Sequence, residues 1–178
     1  SPDQLFRLNG TLVGGGATPT GTLPSPTPTV PTPTATPTAC VANYSSVLST
    51  GASIVPGVTD TGNHADDGST TVTLPFSYTL YDSVFNTVQV GSNGHLTFGT
   101  ANNAFNPSCI PVASATYVIG PYWEDQCTTT CTGVTGTSYG IFTSTTGVSP
   151  NQIFNIEWRT AYYNSGGTGV PLNYEVRL

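Results

Sequence analysis

The chain has 178 residues, of which 7% are charged, with three basic side chains (Arg7, Arg159, Arg177), no lysine and a net charge of −6. Nucleic acids and anionic membranes are held by basic patches, so the balance of charge argues against both as partners. No apolar run reaches the ~18 residues needed to cross a bilayer.

Read from the N-terminus, the first 17 residues form a leader. Its stretch LFRLNGTLV alternates, with Phe6, Leu8, Gly10 and Leu12 on one face and Leu5, Arg7, Asn9, Thr11 and Val13 on the other. That pattern predicts a β-strand with nothing local to pair with, and a lone strand is unstable in water. Gly14–Gly16 follow as a hinge. Residues 18–39 are a Pro/Thr run, TLPSPTPTVPTPTATPTA at its core. Proline removes donors and fixes φ, which excludes helix and sheet and predicts a semi-rigid polyproline II spacer. About 18 such residues reach roughly 55 Å at ~3.1 Å each. Thr27, Thr29, Thr32, Thr34 and Thr36 lie between its prolines as candidate O-glycosylation sites. Asn9 and Asn43 head N-x-S/T sequons.

Residues 40–178 are predicted to be the folded domain, an all-β body of short strands. TTVTLPFSYTL alternates and is rich in β-branched and aromatic residues. NTVQVGSNGHLTFGT reads as two strands around Ser92-Asn93-Gly94, a hairpin-type signal. ATYVIGPYW reads as a buried strand. SYGIFTSTTGVSPNQIFNIEWRTAYY is two strands joined by a turn. LNYEVRL places Leu172, Tyr174, Val176 and Leu178 on one face and Asn173, Glu175 and Arg177 on the other. No stretch sustains a helical period, so the expected fold is an antiparallel β-sandwich.

The four cysteines are Cys40, Cys109, Cys127 and Cys131. The CTTTC segment is short enough to close as a Cys127–Cys131 disulfide, which leaves Cys40 to pair with Cys109. A zinc site is the competing reading, against which the spacing stands because it is not C-x-x-C. Disulfides, together with the missing methionine, point to a processed, secreted chain; a fragment of a longer chain is the other explanation for the missing methionine.

The blocks TVQVGSNGHLTFGT, YVIGPYWEDQ, NQIFNIEWRTAYY and NYEVRL, in that order, resemble the nidogen-like extracellular domain. They are also similar in kind to a β-rich module of secreted, multi-module bacterial proteins. The resemblance covers about Thr71 to Leu178 and implies a non-catalytic extracellular module. Relatives usually continue past the last block, whereas this sequence stops on an alternating strand, so the sandwich is expected to be cut short or incomplete.

Candidate chemistry is sparse. DTGNHADDGS (Asp60–Ser69) gathers Asp60, Asp66 and Asp67 with Asn63 and His64, an oxygen-rich loop that suits calcium but lacks the EF-hand spacing; a solvated turn is the plain alternative. Glu124, Asp125 and Glu157 are carboxylates of the kind glycosidases pair, but adjacent strand residues point to opposite faces, so Glu124 and Asp125 do not converge simply. His64 and His95 have no evident partner, and no nucleophile or phosphate-loop motif is present, so an enzyme is not expected. Tyr117, Tyr122, Trp123, Trp158, Tyr162 and Tyr163 form either a sugar-binding face or the sandwich core and rim. Glu157 and Arg159 flank Trp158 and share a face.

An orphan strand and an open sandwich fit one another. The leader resembles the donor-strand extensions of pilus subunits in pattern. The leading expectation is therefore a secreted structural subunit that polymerises head-to-tail with identical subunits, Phe6, Leu8 and Leu12 filling a groove in the next copy and Gly10 marking a close approach. The alternative is a monomeric adhesion or glycan-binding module on a Pro/Thr stalk. No cofactor is expected, with calcium the one candidate.

Overall fold

The computed structural model describes residues 9–10, 44–110, 117–130, 138–163 and 169–178. The chain divides into two units, a small one over residues 8–48 and a large one that holds residues 49–178. In the small unit β1 (Asn9–Gly10) pairs antiparallel with β2 (Tyr44–Ser45), Asn9 opposite Ser45 and Gly10 opposite Tyr44. Two residues of the leader thus find a partner within the same chain. Phe6, Leu8, Leu12 and the spacer threonines lie outside the described residues.

The large unit is all-β, as expected. One sheet runs β4 (Ser69–Leu80), β5 (Ser83–Gly91), β6 (His95–Thr97) and β7 (Val118–Ile119), each antiparallel to the next. The other is centred on β10 (Ile153–Tyr162). On one side β10 pairs with β11 (Pro171–Arg177). On the other it pairs with β9 (Gly140–Thr146) and, further along, with β8 (Gln126–Cys127); β3 (Thr59–Asp60) borders β9. Among the described residues of the expected strand ATYVIGPYW, Val118 and Ile119 form β7. The β4–β5 register shifts between Thr73 and Tyr78. Pro75 sits in that interval without an N–H to donate, which is tolerated because β4 borders its sheet.

The inner faces supply one core. Leu74, Leu80, Val88, Val90, Leu96 and Phe98 come from the first sheet and its flanks. Ile141, Phe154, Ile156, Trp158, Tyr174 and Val176 come from the second. Alternation read from the sequence places Tyr174 and Val176 correctly, with Leu172 and Leu178 packed against them. Trp158 is fully buried, stacks on Tyr174 with ring centres 5.3 Å apart, and donates its Nε1–H to the Gly91 carbonyl at 2.9 Å. That bond joins the two sheets at the centre of the sandwich. Burial of such a ring contributes roughly 1.5–3 kcal/mol.

The outer face of the β10–β11 pair is covered as well. Glu157 is 2% exposed and Glu175 1% exposed. Residues 53–57 lie across that face and cover them. Glu157 and Arg159, which share that face, pair there with Nη2 to Oε2 at 2.7 Å, the carboxylate end buried.

Cys109 is exposed and its thiol is free, so the Cys40–Cys109 bridge expected from the sequence is not formed. Cys127 is buried and disulfide-bonded. Cys40 and Cys131 lie outside the described residues.

Candidate functional site

Ser92-Asn93-Gly94 is the hairpin turn that the sequence predicts, but it is a buried one. All three residues are shielded from solvent because they hold two other loops. Ser92 N–H donates to Gly68 O at 2.8 Å, Gly68 N–H donates to Ser92 Oγ at 3.0 Å, and the Ser92 hydroxyl donates to Asp66 O. Asn93 Nδ2 donates to Asp67 Oδ1 at 2.8 Å, while Asn93 Oδ1 accepts from Gln126 N–H at 2.9 Å. Gly94 has φ +74°, and a Cβ there would lie 2.1 Å from Tyr122 O. Only glycine combines that backbone with that approach.

The loops so held are residues 61–68 and 122–128. Gln126 donates to Tyr122 O and accepts from Tyr174 Oη at 2.7 Å. Burial drives the Tyr174 phenol well above its ordinary pKa, so it stays a neutral donor. Thr128 Oγ donates to Asn63 Oδ1 at 2.7 Å, and Asn63 Nδ2 in turn donates to Val90 O at 3.1 Å. Apart from the Gln126–Tyr122 bond, every tie is between segments distant in sequence, which makes the base of the site rigid.

On that base the carboxylates of Asp66, Asp67 and Asp125 converge, one oxygen from each lying within 4.8 Å of the others. Asp66 is pushed up by burial and then by Asp67. Asp125 is pushed up by burial and then by Asp67, Asp66 and Glu124. The donor set is all oxygen, the kind that suits a hard cation such as calcium. Of the three aspartates expected in a calcium loop, Asp66 and Asp67 meet. Asp60 does not: it accepts from Gly62 N–H at 2.8 Å, which holds its pKa down, and it faces His64 Nε2 at 2.9 Å. Asp125 takes its place, from a loop that no local spacing connects to Asp66.

His64 therefore has a partner, contrary to expectation, and so has His95. His95 is buried, with Nε2 2.8 Å from Asn102 O; burial lowers its pKa and keeps it neutral. Glu157 is bonded by Gly57 N–H, Arg159 and Asn173 under the covering segment, so it is not open as a general acid or base.

The six aromatics divide. Trp158 is core. Trp123 is nearly buried, its Nε1–H bonded to Ala104 O at 2.9 Å and its ring 4.7 Å from His95. Tyr117 is half-buried and bonds Asp82 and Ser83. Tyr163 is half-buried, with its N–H on Asp125 O at 2.8 Å. Tyr122 and Tyr162 remain 43% and 38% exposed. The Tyr122 ring meets Tyr174 edge-on at 5.8 Å. Tyr162 is hydrogen-bonded to Glu124, whose charge raises its pKa, with smaller contributions from Tyr122 and Asp125. Tyr162 thus lies beside Glu124, within electrostatic reach of Tyr122 and Asp125.

Among the described residues no helix is long and apolar enough to cross a membrane. No curated protein matches the chain, and no solved structure does. The family model described as NIDO related matches residues 34–178, so the chain belongs to the NIDO-related family.

Proposed function

We propose that the domain is a non-catalytic recognition module of a secreted surface protein, carried on its Pro/Thr segment as a stalk. One observation carries this reading: Tyr122 and Tyr162 are held half-exposed beside Glu124 and Asp125 on a base fixed by buried hydrogen bonds. Aromatic faces stack on the apolar face of a sugar ring, and carboxylates accept its hydroxyls. The partner is therefore a hydroxyl-rich glycan. A panel of immobilised polysaccharides tests this with the full chain and its Tyr122→Ala/Tyr162→Ala variant. The variant should bind at least about tenfold more weakly, the loss of roughly 1.4 kcal/mol, with little change in melting temperature. Equal retention of both proteins, or retention of neither, rejects it.

A second reading is a filament subunit joined by donated strands. It is favoured by β4, a 12-residue strand that pairs with β5 alone among the described residues, and by the alternation of the leader. It ranks second because the described core already closes with residues of the body, Val72 to Leu178. Deleting residues 1–16 and following assembly by sedimentation and electron microscopy separates the two: loss of polymer supports donation, and no polymer from either chain removes it.

A further inference from the structure

NIEWR (Asn155–Arg159) and NYEVR (Asn173–Arg177) are two copies of N-x-E-x-R. They pair antiparallel with Glu157 opposite Glu175, Asn155 opposite Arg177 and Arg159 opposite Asn173. Two like charges directly across a strand pair repel unless something compensates them. Each glutamate has its own arginine two residues on, Arg159 at 2.7 Å and Arg177 through Nε at 2.7 Å. Each also accepts one backbone N–H from the segment laid over the sheet. Gly57 N–H donates to Glu157 at 2.7 Å, and Val55 N–H donates to Glu175 at 3.1 Å. The arginines complete the bracket by donating to that segment's carbonyls, Arg159 to Gly57 O and Arg177 to Ser53 O, both at 2.8 Å. At Gly57 a Cβ would lie 2.5 Å from Phe142 Cβ, so the backbone itself rests on the sheet.

Residues 53–57 contribute no side chain to the apolar core. Their hold on the sheet is polar and rests on two charged pairs, whereas the sandwich is held by its core. We propose that residues 53–57 are a strap, a separately releasable anchor that fixes where the N-terminal extension joins the sandwich. Beyond it the chain runs along the edge of β9 as β3, two residues long, flanked by Val58 N–H on Thr143 O at 2.9 Å and Thr61 N–H on Ile141 O at 3.0 Å. With the strap seated, a pull arriving along the stalk acts on the Glu–Arg bracket. With the strap released, it acts on β3 at the edge of the sheet.

Hydrogen exchange on the full chain tests this. Glu157→Gln/Glu175→Gln removes the charge and keeps the shape. Gly57→Ala displaces the strap and keeps the charge. In both, protection of the Val55 and Gly57 amides should fall at least about tenfold, while Val88 and Ile156 keep theirs, the signature of a local opening. The same variants, pulled by their ends, should show an added event at lower force before the sandwich ruptures. Loss of protection at strap and core together overturns the proposal. So does unchanged protection at the strap, or an unchanged force trace.

Discussion

Replacing Asp125 with Asn should stabilise the protein in dilute buffer. Asp125 lies with Asp66 and Asp67 inside 4.8 Å, and all three reach solvent. Two unit charges at that distance repel by about 0.9 kcal/mol at water's dielectric constant. The substitution removes two such pairs, and screening by solvent and residual repulsion in the unfolded chain take back part of the gain. A net gain of about 1 kcal/mol is expected, a rise in melting temperature of roughly 2–4 °C for a domain of this size. The sign follows from the raised pKa of Asp125. The folded state binds its proton more readily than the unfolded state, so the wild type gains stability as pH falls through the raised value toward the ordinary aspartate value. The advantage of the Asn variant shrinks over that window. Thermal unfolding at about 0.01 M and about 1 M salt measures it, since the Debye length falls from ~30 to ~3 Å. Loss of stability in the variant, or a gain indifferent to salt and pH, refutes the repulsion. The same scan in added calcium reports on the ion: a cation held between the three carboxylates raises the wild type and reverses the order.

Gly94→Ala forces an L-residue to φ +74° and brings a Cβ onto Tyr122 O; a loss of at least about 1–2 kcal/mol in urea unfolding is expected, with no loss arguing that the turn is adjustable. Glu157 is pushed up by burial but held below its ordinary pKa by the stronger combined effect of Arg159, Gly57 N–H and Asn173. The stability it supplies is present above the ordinary glutamate value and lost as pH falls through the lowered one, and Glu157→Gln should flatten that part of the urea-midpoint profile. Native protein should alkylate at Cys109 without denaturant, identified by peptide mass, and absence of a reactive thiol there would restore the Cys40–Cys109 bridge.

The strands were legible where one face is core and the other is wet. In LNYEVRL the alternation gives the inward set Leu172, Tyr174, Val176 and Leu178. The same alternation puts Glu175 on the opposite face, but it gives no sign that the face is covered, because the strap that buries Glu175 comes from 120 residues earlier. Period-2 patterning records which face a side chain is on, not what later covers that face. The paired N-x-E-x-R was a visible signal: identical charges at matching positions of two antiparallel strands require compensation. Ser92-Asn93-Gly94 was legible as a turn from its residue types. Its role as a clamp on residues 66–68 and 122–126 was not, since its partners are 24 to 33 residues away. Asp125 was read beside Glu124, and its meeting with Asp66 and Asp67 was missed for the same reason. Local spacing picked Asp60, which the chain instead turns toward His64.

The scarcity of basic residues sharpens the contrast between the two carboxylate groups of the body. Arg159 and Arg177 are the only arginines after Arg7, there is no lysine, and both are committed to Glu157 and Glu175 beneath the strap. His64 faces Asp60, and His95 is buried and neutral. Among the described residues, Asp66, Asp67 and Asp125 therefore have no cationic partner, and burial and mutual repulsion raise the pKa of Asp66 and Asp125. Sheet charges that are neutralised and covered hold a backbone in place. Loop charges left uncompensated beside two exposed rings keep a field directed outward, and a field of that kind favours whatever arrives with hydroxyl donors or positive charge. The fold thus separates its anchoring carboxylates from those facing solvent, and it is on the second group, with Tyr122 and Tyr162, that the proposed recognition of a glycan rests.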